Sequence, residues 1–335
     1  MSSYIIRAPN HLGDCIMAMA SFQTLPETIE YSLLAPDWAE PLYCDLKRAK
    51  FCPIPAGSLH GLEAISNQRE MIKDIKADAG LLLTPSFSSA LIFNLGGVKR
   101  RYGFATDCRG MLLTDPVNIK SVPVHRADRY RFLMEGFFDL KLQKDMPRIS
   151  ISPQSESNAN NLLDQYGLQA QARFVAIAAQ AVAESRRWGS GNYASLAGKL
   201  IAESGLKVVI LGTEGESAAG EEIKNGREEI VNLCGTTDIE TAAGVLSKAV
   251  LFIGNDSGLA HLAGAVGVPL VVLSGADNPA ETSPLASNKT VIIRSELECI
   301  SCVKNKCLLA GERHMQCMKQ ITVDDVMLAA GEYLA

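Results

Sequence analysis

At 335 residues the chain exceeds what one hydrophobic core usually serves, so two domains of about 150 residues each are expected. Hydrophobic residues at 47%, charged residues at 21% and aromatics at 6% exclude a disordered or fibrous chain and fit a globular enzyme. A formal net charge of -5 excludes a surface that binds nucleic acid as a whole, so any polyanion must be met by a local basic patch.

The predicted elements alternate short apolar runs with segments of helical length. SYIIRAP (3–9) reads as a strand before a helix over Cys15 to Leu25, and YSLLAP (31–36) as a second strand. AGLLLTP (79–85) follows, with a helix near Ser88. The pattern blurs in RRYGFATDCRGMLLTDPV, which holds short extended pieces and turns, and resumes with a charged helix from about Asp128 to Leu140. KLQKDMPRISISPQSES has the prolines, serines and mixed charge of a linker, which places a domain boundary at residue 150. A second series follows it: strands RFVAIAAQ (173–180), LKVVILGT (206–213), IVNLCG (230–235), AVLFIGND (249–256) and PLVVLSG (269–275), with helices between them. TVIIR (290–294) is a candidate sixth strand, and TVDDVMLAAGEYLA closes with a helix.

This alternation is the signature of βαβ units around parallel sheets, so an α/β fold with two doubly wound αβα domains facing each other across a cleft is expected. Ligands of such sheets bind at the carboxyl ends of the strands, and chemistry belongs in the loops that leave them. The opening residues lack the basic flank and long apolar run of a secretory signal, and no apolar run approaches the roughly 18 residues of a membrane span; a cytoplasmic protein is expected.

Three post-strand loops carry candidate chemistry. In APNHLGDCIMAMA, Gly13 permits a tight turn and Asp14 falls where a helix begins. It reads either as a helix cap or as a carboxylate able to take a proton from a hydroxyl nucleophile. In IAAQAVAESRRWGSGNYASLAGKL, Arg186 and Arg187 precede Trp188 just before a helix, either an anion site or a solvated surface pair. In GNDSGLAHLAGAVGVP, Asp256 and Ser257 stand at a strand end, with Gly258 next and His261 one turn into the helix. Ser257 can cap that helix, the amides near Gly258 can hold phosphate, and His261 is either a further phosphate contact or an interior histidine. Neither a G-x-G-x-x-G at a strand end opening a helix nor a G-x-x-x-x-G-K-[ST] occurs, so dehydrogenase and P-loop readings lose their main support.

Taken together, LGD after the first strand, RRW, NDSGLAHLAGAVGVP and SGADNPAETSP with its Asp277, Pro279 and Thr282 resemble glycosyltransferase family 9, the ADP-heptose:lipopolysaccharide heptosyltransferases. The tail ECISCVKNKCLLAGERHMQCMKQIT is similar to the heptosyltransferase II branch. The resemblance implies a GT-B fold. It puts the acceptor on residues 1–150 and the nucleotide-sugar on residues 151–335, whose last helix can pack back on the first domain. It also implies that Asp14 is the catalytic base of an inverting transfer, and that Arg186 stands where the family has a phosphate-contacting Lys. Asp256, Ser257, Gly258 and His261, with Arg187, would grip the donor diphosphate. Glu216, with Glu214 as a rival, would accept hydrogen bonds from ribose hydroxyls.

The implied partners are an ADP-heptose donor and a phosphorylated inner-core lipopolysaccharide acceptor. Candidates to meet the acceptor are Lys99, Arg100, Arg101, Arg109, Lys120, Arg126 and Arg129, each equally readable as part of a solvated basic face. No cofactor is implied, a monomer is expected, and a lipid acceptor implies peripheral contact with the cytoplasmic face of the inner membrane. Cys299, Cys302, Cys307 and Cys317, with His314 nearby, have a spacing open to three readings: a structural metal, disulfides, or free thiols in a packed loop. Two rival functions stay open: a nucleotide-sugar epimerase on a similar fold, and a non-catalytic metal-binding interaction protein.

Overall fold

A computed structural model of the chain describes residues 3–59, 61–119, 125–169 and 172–334. It divides into two units, Met1–Pro147 and Arg148–Ala335. The first contains β1 (Tyr4–Arg7), α1 (Leu12–Phe22), β2 (Tyr31–Pro36), α2 (Glu40–Tyr43), β3 (Ala49–Ile54), α3 (Leu62–Ile75), β4 (Ala79–Leu82), α4 (Phe87–Leu95), β5 (Arg100–Phe104), β6 (Asp115–Val117) and α5 (Arg126–Phe138).

The second contains α6 (Pro153–Gln165), β7 (Phe174–Ala178), α7 (Ser190–Ser204), β8 (Lys207–Ile210), α8 (Ser217–Lys224), β9 (Ile230–Asn232) and α9 (Ile239–Leu246). It continues with β10 (Leu251–Asn255), α10 (Gly258–Ala265), β11 (Leu270–Leu273), α11 (Pro279–Thr282), β12 (Lys289–Ile292), α12 (Gln316–Lys319) and α13 (Val323–Leu334).

Each unit is a parallel six-stranded sheet, ordered β3-β2-β1-β4-β5-β6 in the first and β12-β11-β10-β7-β8-β9 in the second. The two orders are the same doubly wound pattern, in which the strand order reverses beside the first strand. Central parallel strands are covered by helices on both faces, so they are apolar throughout rather than alternating. Accordingly every residue of β4, β7 and β11 is buried. In the first unit α1 packs on α5, and an edge-to-face cluster of Tyr4, Phe137 and Phe138 lies under it. In the second, α6 packs on α9, where Gly244 allows the approach: a Cβ there would lie 2.7 Å from the Ser155 carbonyl oxygen. The closing helix α13 packs within the second unit, on α7 and against β10, β11 and β12.

Several elements depart from the sequence reading, among them α2 and α3, which fall between YSLLAP and AGLLLTP where that reading places no helix. The expected linker ends early, because Ser152 caps α6, its Oγ accepting from the Ser155 amide at 3.0 Å, and Pro153 occupies the first turn, where its missing N–H costs nothing. Strand β3 was not expected at all. It is the edge strand of its sheet, with Lys50 and Pro53 exposed, so it lacks the apolar run that marks the central strands. Among the described residues no helix is long and apolar enough to cross a membrane.

Candidate functional site

The strand order reverses between β1 and β4 in the first sheet and between β7 and β10 in the second. Loops leaving the carboxyl ends of strands at such points are where doubly wound sheets hold ligands. The loops singled out in the sequence leave β1, β7 and β10, so all three stand at these positions.

In the β1 loop, buried Arg7 shapes the turn by donating to the Ala8 carbonyl and to Asn10 Oδ1, both at 2.6 Å. Burial pulls its pKa down to about 10. His11, not Asp14, occupies the cap position of α1, and Asp14 lies inside the first turn. The capping reading of Asp14 therefore fails. Its carboxylate faces α5 instead. Oδ1 accepts from the Tyr130 hydroxyl at 2.9 Å and from Arg126 Nη1 at 3.2 Å, and Oδ2 lies 3.5 Å from the same nitrogen. Arg126 and Tyr130 are four residues apart and so share one face of the helix. Burial pushes the Tyr130 phenol well above its ordinary range, and the charge of Asp14 pushes it further, so its proton stays on and is donated. A partly buried carboxylate held by one cation and one neutral donor can accept a proton from a substrate hydroxyl.

Tyr130 was not found from sequence. Its only signal is the R-x-x-x-Y spacing, which points nowhere until α5 is known to lie on α1.

The other basic candidates of this unit have separate tasks. Arg109 is fully buried and cannot meet a soluble anion: it donates to the carbonyls of Phe104 (2.7 Å), Thr84 (2.6 Å) and Ser86 (3.2 Å), bracing the loop after β4. Arg101 closes its own turn onto the carbonyls of Leu112 and Val98, both at 2.6 Å. Arg100 lies over the rings of Tyr102 and Phe137 and 3.6 Å from Asp115. Exposed Lys99 lies 3.8 Å from Asp78, Arg129 is half-buried on α5, and Lys120 falls outside the described residues.

In the second unit the loops after β7 and β10 are tied together by Asn255, which is fully buried at the end of β10. Its Nδ2 donates to the Ala179 carbonyl at 2.7 Å, and its Oδ1 accepts from the Tyr193 hydroxyl at 3.0 Å and the Trp188 amide at 3.3 Å. Trp188 is the anchor of its loop: the indole donates to the Ile321 carbonyl at 2.8 Å and stands edge-on to Tyr193. This fixes the two arginines that precede it. Arg187 is exposed and donates from Nε to the Ala181 carbonyl at 2.8 Å, while Arg186 pairs with the buried carboxylate of Asp277.

Beyond β10, Asp256 accepts from Thr282 Oγ1 at 2.9 Å and lies 3.8 Å from His261 Nε2, all three side chains being buried. Lys289 is close enough to feel that carboxylate: burial pulls its pKa down, and Asp256 opposes the shift. Ser257 has the extended backbone of a cap residue, yet its hydroxyl bonds no backbone amide of α10. That corrects the capping reading. The oxygen is buried and without a hydrogen-bond partner among the described residues, next to the helix amides that begin at Gly258. The first amides of a helix have no carbonyl of their own helix to bond, so the amide of Gly258 and the buried Ser257 hydroxyl are donors of the kind that can meet an anion.

Glu216 closes a capping box with Thr213, accepting from the Thr213 amide at 2.8 Å, so part of its carboxylate shapes the turn after β8; Glu214 is exposed beside it. The four tail cysteines are free thiols. Cys302 is exposed and the other three half-buried, and Cys307 Sγ accepts from the Met315 amide at 3.3 Å. Among the described residues no group of three or more His, Cys, Asp or Glu is arranged to hold a metal. Ser185 joins the tail to the β7 loop, donating from its hydroxyl to the Lys304 carbonyl and from its amide to the Asn305 carbonyl at 3.2 Å.

Residues 67–312 match the sequence profile of glycosyltransferase family 9 (heptosyltransferase). The lipopolysaccharide heptosyltransferase 2 of Escherichia coli is 30% identical over 308 residues, covering 87% of this chain and 87% of that protein. The solved structure of the Escherichia coli ADP-heptose lps heptosyltransferase II superposes with a TM-score of 0.79 at 27% identity, over 100% of this chain and 98% of that one. A glycosyltransferase family 9 structure from Veillonella parvula shares the fold with a TM-score of 0.84 at 18% identity, over 99% and 97% of the two chains.

Proposed function

The chain belongs to glycosyltransferase family 9, and from that premise we propose that it moves L-glycero-D-manno-heptose from ADP-heptose onto a heptose of the lipopolysaccharide inner core, with inversion at the sugar. The observation that carries this reading is the likeness to lipopolysaccharide heptosyltransferase 2 over most of both chains. Family membership makes the chain a glycosyltransferase, not an epimerase or a non-catalytic metal-binding protein.

In this reading Asp14 takes the proton of the acceptor hydroxyl as its oxygen bonds to the anomeric carbon. The bond from that carbon to the diphosphate breaks, and its electron pair leaves with ADP. The departing diphosphate is met by Ser257, the amides from Gly258 onward, His261, Arg186 and Arg187, which supply hydrogen bonds and positive charge where negative charge develops. Asp277 holds the Arg186 guanidinium in place for that contact. Asp256 orders the loop through Thr282, and Glu216 or Glu214 accepts from the ribose hydroxyls. Arg126 and Arg129 are the proposed contacts for the anionic acceptor. Arg100, which lies over the Phe137 ring, and Arg101, which closes its own turn, are subsidiary because neither stands on the helix that faces Asp14, and Arg109 is excluded by burial. The chain works as a monomer without cofactor, at the cytoplasmic face of the inner membrane where a lipid acceptor is found.

The test is ADP release from ADP-heptose with and without a heptose-primed, Kdo-containing lipid acceptor. Release should depend on acceptor, and Asp14→Asn should lower turnover about 100-fold or more while ADP still binds. Release indifferent to acceptor would remove the transfer, and full turnover in Asp14→Asn would remove the base.

A further inference from the structure

The two oxygens of Asp14 are not equivalent. Oδ1 carries both close donors, Tyr130 at 2.9 Å and Arg126 at 3.2 Å, whereas Oδ2 has only the 3.5 Å approach of Arg126. Hydrogen bonds to a carboxylate oxygen stabilise its charge and make that oxygen the poorer proton acceptor, which leaves Oδ2 as the basic atom.

The two donors also differ in kind. The Arg126 side chain is 36% exposed and long enough to reorient toward an anionic ligand. Tyr130 is 8% exposed, short and rigid, and sits on α5 where that helix packs on α1, the helix that carries Asp14. The orientation of the carboxylate therefore depends on the buried phenol.

We infer that Tyr130 is a positioning residue for the transfer: by donating to Oδ1 it fixes the carboxylate of Asp14 so that Oδ2 receives the acceptor proton, and it keeps that orientation when Arg126 engages the acceptor. The inference rests on the reading of Asp14 as the base. The proton moves from the acceptor hydroxyl to Oδ2, and the phenol keeps its own. Burial and the neighbouring charge, which hold that phenol protonated well above its ordinary range, support this division of labour.

The experiment compares Asp14→Asn, Tyr130→Phe and the full-length enzyme carrying 3-fluorotyrosine at position 130, each assayed for acceptor-dependent ADP release across pH, with Tm measured alongside. Losing a donor to the ionised form favours protonation of the carboxylate, so Tyr130→Phe should move the acid limb of kcat up. It should also lower kcat about 10-fold, with KM for ADP-heptose unchanged. The fluorinated phenol is a stronger donor of the same shape, so it should move the limb down at unchanged Tm. An acid limb unmoved in both, with only Tm lowered in Tyr130→Phe, would reduce Tyr130 to a packing residue and overturn the inference. If Tyr130→Phe does not fold, the fluorotyrosine enzyme decides alone. Full turnover in Asp14→Asn would instead overturn the base reading, whereas an inactive Asp14→Asn with an unmoved limb overturns only the role of Tyr130.

Discussion

Replacing Asn255 with Ala tests how the loops after β7 and β10 are held. The side chain is fully buried and makes three hydrogen bonds: to the Ala179 carbonyl, from the Tyr193 hydroxyl and from the Trp188 amide. Asn255→Ala leaves all three groups buried without that partner, and each stranded group costs about 1–3 kcal/mol, so the loss begins near about 3 kcal/mol. A water entering the vacated polar space would restore part of the bonding, so we expect about 3 kcal/mol, not the upper sum of about 9 kcal/mol. Tyr193→Phe removes only one of the three bonds and leaves Oδ1 with the Trp188 amide, so about 1 kcal/mol is expected there. Urea unfolding followed by indole fluorescence measures both, in a Trp38→Phe background where buried Trp188 is the remaining one of the chain's two tryptophans. The same loop carries Arg186 and Arg187, so ADP affinity should fall in Asn255→Ala more than in Tyr193→Phe. A loss below about 1 kcal/mol for Asn255→Ala, or equal losses for the two variants, would refute the claim that this amide joins the loops.

Three other outcomes follow from the structure. Gly244→Ala puts a Cβ 2.7 Å from the Ser155 carbonyl oxygen and 2.9 Å from Ala159 Cβ, forcing α9 off α6. A loss of about 1–3 kcal/mol in urea unfolding is expected, and no loss would mean that the helices separate freely. Burial pushes the thiols of Cys15 and Cys234 up to about 12, so in the native protein iodoacetamide should spare them while labelling exposed Cys44, Cys108 and Cys302, as read by peptide mass.

Acid should weaken the fold through two carboxylates held below their ordinary value of 3.8. At Asp128 burial pulls upward but is outweighed by bonds from Lys144 and Arg131, while Asp325 is held down by the hydroxyl and amide of Thr322 and then by Arg294. A depressed folded-state value means that the stabilisation is present at neutral pH and is lost as pH falls through and below the ordinary value. Tm should therefore drop on acidification below about pH 4, and less steeply in Asp325→Asn; an unchanged slope would exclude that contribution.

The alternation of apolar runs with helical segments by itself determined two parallel αβα units, because strands covered on both faces must be apolar throughout, as in FVAIA and LVVL. Position in the chain likewise picked out the loops that leave β1, β7 and β10, since every parallel strand must hand its ligand-facing end to the loop that follows it. Local pattern failed where an element lacks an apolar face. Edge strand β3 carries Lys50 and Pro53, and α6 begins inside a serine- and proline-rich stretch that reads equally well as linker.

Only the tertiary structure decided what the polar side chains do. Arg109 and Arg126 look alike in sequence, yet one is buried on the carbonyls of Phe104, Thr84 and Ser86, and the other reaches a carboxylate. Asp14 meets Arg126 and Tyr130 across 112 and 116 residues, because α1 and α5 pack on one another. Helical and strand periodicities are set by the few residues nearest in the chain, whereas a hydrogen bond is set by where two elements come to rest in space. The strands and the loops after them were therefore written in the sequence, and the partners of Asp14, Asn255 and Arg186 were fixed by packing.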